Sequence, residues 1–164
     1  MAKRNNEEDY NLVVLADRRE QTPWTFSSSK YVIDIRDTTL DTGDYSLEGY
    51  EDLVRIERKA STSEIAGNIT EKRFKDWLER LSTYKYKFLI CEFDFEDIVN
   101  FPNNSGIPKY LMNKIKISPA FIMAAMSKIQ LKYGIQIIYA GNPRNAQIAA
   151  ESIFKTVVQI EWQK

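Results

Sequence analysis

Short β-branched runs and period-two alternation dominate the chain as far as Ile56, whereas beyond Lys59 the apolar residues also recur at helical spacing, as in Phe74, Trp77, Leu78 and Leu81. Glu57-Arg58-Lys59 sits on this boundary. A chain that spends its first third on extended segments and then alternates helices with strands is committed to an α/β fold, with a central mixed sheet flanked by helices. "NLVVLAD" reads as a buried strand. "YVIDIRD" follows it, with Tyr31, Ile33 and Ile35 opposite Val32, Asp34 and Arg36 in half-buried alternation. "DTGDYSL" turns at Gly43, and "LVRIE" completes what reads as an antiparallel set. "STSEIAGNI" then starts a short helix capped by Ser61 or Thr62. "YKFLICEF" and "IQIIYAG" read as further strands. Between them lies a helix with Ser118 as cap, Pro119 in its first turn and Gly134 as its stop. The last helix starts at "NPRNA" and is expected to turn Ile148, Ile153, Phe154 and Val157 toward the core.

Length and composition narrow the function classes. The 164 residues suit one domain over residues 11–164 behind a tail at residues 1–10. A 43% apolar fraction suits a globular fold. Cys91 is the single cysteine and there is no histidine, so disulfide frameworks, Cys- or His-liganded metals and His-based catalytic triads are excluded. Any metal must be held by oxygen. "MAKRNNEEDY" lacks the apolar core of a signal peptide and no apolar run is long enough to span a membrane; a cytoplasmic location is expected. Net charge is zero but unevenly spread. Residues 1–52 hold 12 acids and 6 basic residues, while residues 98–150 hold Lys109, Lys114, Lys116, Lys128, Lys132 and Arg144 and no acid. Those six are candidate phosphate contacts, or else a solvated face. "FPNNSGIPKY" is a turn-rich stretch that is either flexible or ligand-facing.

In an extended strand Glu57 and Lys59 share one face and Arg58 points to the other. Asp44, delivered by the Gly43 turn, can sit on a neighbouring strand beside Glu57, giving two carboxylates for one hard cation with a lysine adjacent. That grouping suits phosphodiester hydrolysis, with the ammonium either orienting water or offsetting developing charge. A surface ion pair is the alternative reading of Glu57 and Lys59. Asp17 places another acid at a strand end, and Arg18, Arg19 and Glu20 continue into the loop.

Asp17-x-Arg19-Glu20, Gly43-Asp44-Tyr45 and Glu57-Arg58-Lys59, in this order, resemble the nuclease domain of the XPF/MUS81/Hef (ERCC4-type) family of structure-selective DNA endonucleases. "REQTPWTF" and "ERKASTSEIAGNI" resemble its short freestanding bacterial and phage members, and Arg73-Phe74 a later motif pair. The likeness is strong from Leu12 to Phe93. It implies a restriction-endonuclease-like core, Mg²⁺ or Mn²⁺ as cofactor, and cleavage of branched, flapped or forked DNA. It assigns Asp17, Asp44 and Glu57 to the metal and Lys59 to catalysis. Arg19, Glu20 and Arg58 are motif residues, with Glu20 and Arg58 expected to pair. The family places an acid four residues after the lysine, where this chain has Ser63; Glu64 is the candidate substitute. The tandem DNA-binding domain of larger members is not found, so DNA affinity is expected from the domain itself, a second copy or a partner.

Trp24 is either a base contact or a packing residue, while Phe74, Trp77, Met123 and Met126 read as core. The readings left open are an active endonuclease, a catalytically silent DNA-binding or scaffolding subunit of a nuclease pair, and a sequence-specific restriction-type enzyme. A homodimer is expected through Pro119–Leu131 and the last helix.

Overall fold

The computed structural model describes residues 10–163; residues 1–9, most of the expected tail, lie outside the described part. Six strands form one mixed sheet in the order β2-β1-β3-β4-β5-β6: β1 (Leu12–Asp17), β2 (Val32–Thr38), β3 (Tyr45–Leu47), β4 (Val54–Lys59), β5 (Tyr86–Cys91) and β6 (Gln136–Tyr139). The helices are α1 (Thr62–Ile69), α2 (Phe74–Ser82), α3 (Phe95–Val99), α4 (Lys109–Met112), α5 (Pro119–Tyr133) and α6 (Pro143–Trp162). This is a restriction-endonuclease-like core.

The first strands are not an all-antiparallel set. β3 runs antiparallel to β1 and β4, but β2 lies parallel to β1, and β4, β5 and β6 are mutually parallel. Connections long enough for a crossover, such as the one from Arg18 to Tyr31, permit this. In β2 the register jumps from Val32 to Asp34, skipping Ile33. The bulge shifts the side-chain phase, so Val32 and Ile35 pack while Ile33 is exposed, contrary to the simple alternation.

Each sheet face has its own core. On one face α6 packs against β4 and β5, and Val14, Tyr45, Ile56 and Phe154 are completely buried in the core there. On the other, α1, α2, α3 and α5 enclose Ile65, Leu81, Leu89, Ile122 and Ile129. Each such aliphatic or Phe side chain stabilises the fold by roughly 1.5–3 kcal/mol. Side chains of β5 alternate between the cores, Ile90 into the first and Leu89 and Cys91 into the second. Ser61 caps α1, accepting from the Glu64 amide, and Ser118 and Asn142 cap α5 and α6 ahead of their prolines. The inward stripe of α6 is Ala146, Ala150, Phe154 and Val157; Ile148 lies around the helix from this stripe and is exposed. Within the turn-rich stretch, Phe101 and Ser105 are buried and Lys109 opens α4, so this segment packs against the fold.

Candidate active site at the ends of β1, β3 and β4

Gly43 makes the site possible. Its φ is +76°, and a Cβ there would lie 3.2 Å from the Ile56 carbonyl oxygen and 3.3 Å from Arg55 Cδ. Only glycine takes that turn without strain against the neighbouring strand. The turn lets the Asp44 amide donate to Ile56 O (2.9 Å) while Asp44 O accepts from the Asp17 amide (2.7 Å). Asp44 is thereby clamped between β1 and β4. Its Oδ2 accepts from the Arg58 amide at 2.8 Å, which holds the carboxylate against the end of β4.

The strand pleat then separates the charged triplet. Glu57 and Lys59 share a face, with Lys59 Nζ donating to Glu57 Oε1 at 2.7 Å. Arg58 turns the other way, where Nε and Nη2 donate to Glu92 (2.7 and 3.1 Å) and Nη1 donates to Glu20 (3.0 Å) and to the Thr22 carbonyl (2.9 Å). Asp17 is held differently. Its Oδ1 accepts from Arg19 N and Nε, and its Oδ2 from Arg19 Nη2 and the Leu40 amide, all within 2.9 Å.

These surroundings divide the acids electrostatically. The bonds from the Arg19 side chain hold the Asp17 carboxyl down at about 2, against a smaller opposing effect of burial. Asp44 is pushed well above the usual carboxylate range, first by burial and then by the charge of Glu57 beside it. Burial also raises Glu57, although Lys59 and the Trp77 indole, which donates to Oε2 at 3.2 Å, pull it back. For Lys59, burial works against the charge, but the carboxylates of Glu57, Glu64 and Asp44 outweigh it and raise its pKa.

A cleft of about 480 Å³ opens over these groups, with Asp17, Arg19, Asp44, Glu57, Glu64 and Arg80 among its walls. Among the described residues, no three acid or cysteine side chains are grouped tightly enough to share an ion. Asp17, Asp44 and Glu57 line the same cleft, but the lone pairs of Asp17 are engaged by Arg19 and the Leu40 amide, which sets it apart from the other two. Asp44 and Glu57 remain as a two-carboxylate set. Two oxygen donors, leaving room for water, fit Mg²⁺ or Mn²⁺, and a cation would offset the burial that raises both carboxyls and the Glu57 charge that adds to it at Asp44.

Glu64 stands beside Lys59, accepting from its Nζ at 3.4 Å and from the Ala60 amide at 2.8 Å. Trp24 is a buried core residue rather than an exposed platform: it stacks on Tyr45 at 4.4 Å between centroids, and its indole donates to Glu92 at 2.6 Å. All six basic candidates are exposed, Lys109 on α4, Lys114 and Lys116 in the next loop, Lys128 and Lys132 on α5, and Arg144 at the start of α6. None of them lines the acidic cleft.

Sequence reasoning missed three residues here. Glu92 anchors both Trp24 and Arg58; its one signal was an acid closing the apolar run "FLIC". Trp77, read as core, is half-buried, bonds Glu57 and places its ring 5.4 Å from Lys59 Nζ. Arg80, one helical turn further along, also reaches the cleft.

The sequence matches the ERCC4 domain over residues 16–148, a span that contains every group around the cleft. The chain belongs to the ERCC4 domain family. Within solved structures it is similar to XPF from Aeropyrum pernix, with a TM-score of 0.66 at 24% identity, covering 92% of this chain and 70% of that one. It is also similar to XPF from Aeropyrum pernix in complex with DNA, at a TM-score of 0.66 and 23% identity, over 91% of this chain and 66% of that chain. No curated protein matches the sequence. Family membership makes this a DNA nuclease-type domain, and the two structures share its fold. No helix among the described residues is long and apolar enough to cross a membrane.

Proposed function

We propose that this chain is a DNA endonuclease that hydrolyses phosphodiester bonds with Mg²⁺ or Mn²⁺ and selects branched, flapped or forked DNA. The observation that carries the reading is Asp44 beside Glu57, two carboxylates destabilised in their charged form by burial, Asp44 further by the Glu57 charge, with the Lys59 ammonium 2.7 Å from Glu57. Asp44 and Glu57 would hold the cation, which when bound supplies Lewis-acid polarisation of a phosphoryl oxygen. Lys59, kept protonated by its carboxylate neighbours, offsets the negative charge that develops on the phosphoryl oxygens. Asp17 fixes the exposed Arg19 guanidinium at the cleft mouth, oriented to take a phosphate oxygen. Glu20 and Glu92 hold Arg58, and through it the end of β4, in place.

The intact Asp44, Glu57 and Lys59 favour an active enzyme over a silent subunit. Lys109, Lys114, Lys116, Lys128, Lys132 and Arg144 supply sequence-independent phosphate contacts outside the cleft. The working form is read as a homodimer. Phe154 and Val157 are core and leave no face for it, but Leu131 on α5 and Ile148 on α6 are exposed on helices that cover opposite faces of the sheet. Light scattering at micromolar concentration distinguishes a mass near 19 kDa from twice that value. The function is tested with labelled flap, fork, Holliday-junction and linear duplex DNA, each with Mg²⁺, Mn²⁺ or chelator. Metal-dependent cleavage of the branched substrates is expected; cleavage that survives chelator, or none on any substrate, rejects the reading.

A further inference from the structure

A groove between α2 and α5 carries the second basic feature of the molecule. Its floor holds Phe121, Ala124 and Ala125 and its rim Lys75, Lys128 and Lys132; no carboxylate lines it among the described residues. Phe121 is half exposed, and Phe121, Ala125, Lys128 and Lys132 fall at i, i+4, i+7 and i+11, one stripe of α5. The groove connects to the active-site cleft by shared walls. Trp77 and Arg80 belong to the cleft and to a depression over α2, and Phe74 belongs to that depression and to the groove. Phe74 and Trp77 are stacked at 5.6 Å between centroids, so an aromatic pair leads from beside Glu57 to the groove that Phe121 also lines.

Resting on the nuclease reading above, we propose that this groove binds a single-stranded DNA arm leaving the cleft, with bases against Phe74 and Phe121 and phosphates on Lys128 and Lys132. An unpaired strand offers both base faces and phosphates, which an aromatic floor with a lysine rim complements. A duplex hides its base faces in its own stack and would use the rim alone. A second copy docking symmetrically by the same stripe would set lysines against lysines.

Fluorescence anisotropy of the full chain with labelled oligothymidylate, and separately with blunt duplex, tests this without any cleavage step, so it can fail while the nuclease reading stands, or the reverse. For Lys128→Gln/Lys132→Gln the oligothymidylate Kd is expected to rise about tenfold. The slope of log affinity on log salt should shrink by about 1.4, two contacts at about 0.7 each on a single strand. Phe121→Ala should weaken single-strand binding about fivefold or more at an unchanged slope. Duplex affinity should fall by a clearly smaller factor in Phe121→Ala, whereas the lysine variant weakens a duplex as well. Unchanged single-strand affinity in either variant, or equal losses for duplex and single strand in Phe121→Ala, overturns the assignment. So does a wild-type dimer that Phe121→Ala splits without altering DNA affinity, which would make the groove a self-interface.

Discussion

Asp17 and Asp44 are backbone hydrogen-bonded neighbours at adjoining strand ends, yet the environments of their carboxylates are opposite. Asp17 receives four hydrogen bonds from Arg19 and the Leu40 amide and is held down at about 2. Asp44 accepts one amide bond from Arg58, faces Glu57, and is pushed well above the usual range. The first carboxylate contributes to stability as it stands. The second, with Glu57, costs stability in its charged form and gains most from a bound cation. Two aspartates of one motif set are thus assigned different work by the donors around them.

The largest effect that separates them is on cleavage. Asp44→Asn or Glu57→Gln should reduce turnover a thousandfold or more, about 4 kcal/mol of lost transition-state stabilisation. DNA affinity should stay equal or tighten slightly as phosphate repulsion falls. Unchanged cleavage in either variant would break the assignment. Lys59→Ala should lose rate rather than affinity, and because it removes the positive charge that pulls Glu57 down, the acid limb of the rate profile should move to higher pH. An unmoved limb with weakened binding would make Lys59 a phosphate anchor instead.

Stability should respond in opposite directions. Asp17→Asn removes charge-assisted bonds and should cost about 2–3 kcal/mol, with Tm falling by roughly 4–10 °C. Asp44→Asn should leave Tm equal or higher at neutral pH. The Asp17 contribution is fully present above its unfolded value near 3.8 and is lost as pH falls toward about 2. For Asp44 and Glu57 the sign reverses: their stabilisation is present below the ordinary carboxylate range and is lost as pH rises through their raised values. Without metal, the wild-type stability maximum should therefore lie at mildly acidic pH, and Asp44→Asn should flatten its alkaline flank. A parallel pH profile for the two proteins would count against a strained Asp44.

The smallest effect concerns Glu92. Glu92→Gln should lower cleavage less than tenfold and mainly through rate, since it acts on the end of β4 through Arg58.

The sequence carried much of this arrangement because local rules govern it. Alternation along "VRIERK" puts Glu57 and Lys59 together, Gly43 marks the turn that brings Asp44 to them, and the capped, proline-started helices α5 and α6 are signalled by Ser118, Pro119, Asn142 and Pro143. What escaped depends on contacts distant in the chain. The bulge at Ile33 reverses a phase that alternation alone predicts. Trp24 could not be seen as buried without Tyr45 and Glu92, which lie 21 and 68 residues away. Trp77 has the spacing of a core residue and in fact bonds Glu57, 20 residues before it. The commitment of Asp17 to Arg19 is only two residues long, but the Leu40 amide that completes it is 23 residues off.

The most direct test of the contrast is a Mn²⁺ titration of the wild type, Asp17→Asn, Asp44→Asn and Glu57→Gln, followed by the loss of free-ion electron paramagnetic resonance signal at neutral pH. The account predicts that wild type and Asp17→Asn bind the ion within threefold of each other, about, and that Asp44→Asn and Glu57→Gln bind it at least about tenfold more weakly. Equal affinity in all four proteins, or a loss in Asp17→Asn as large as in Asp44→Asn, would contradict it.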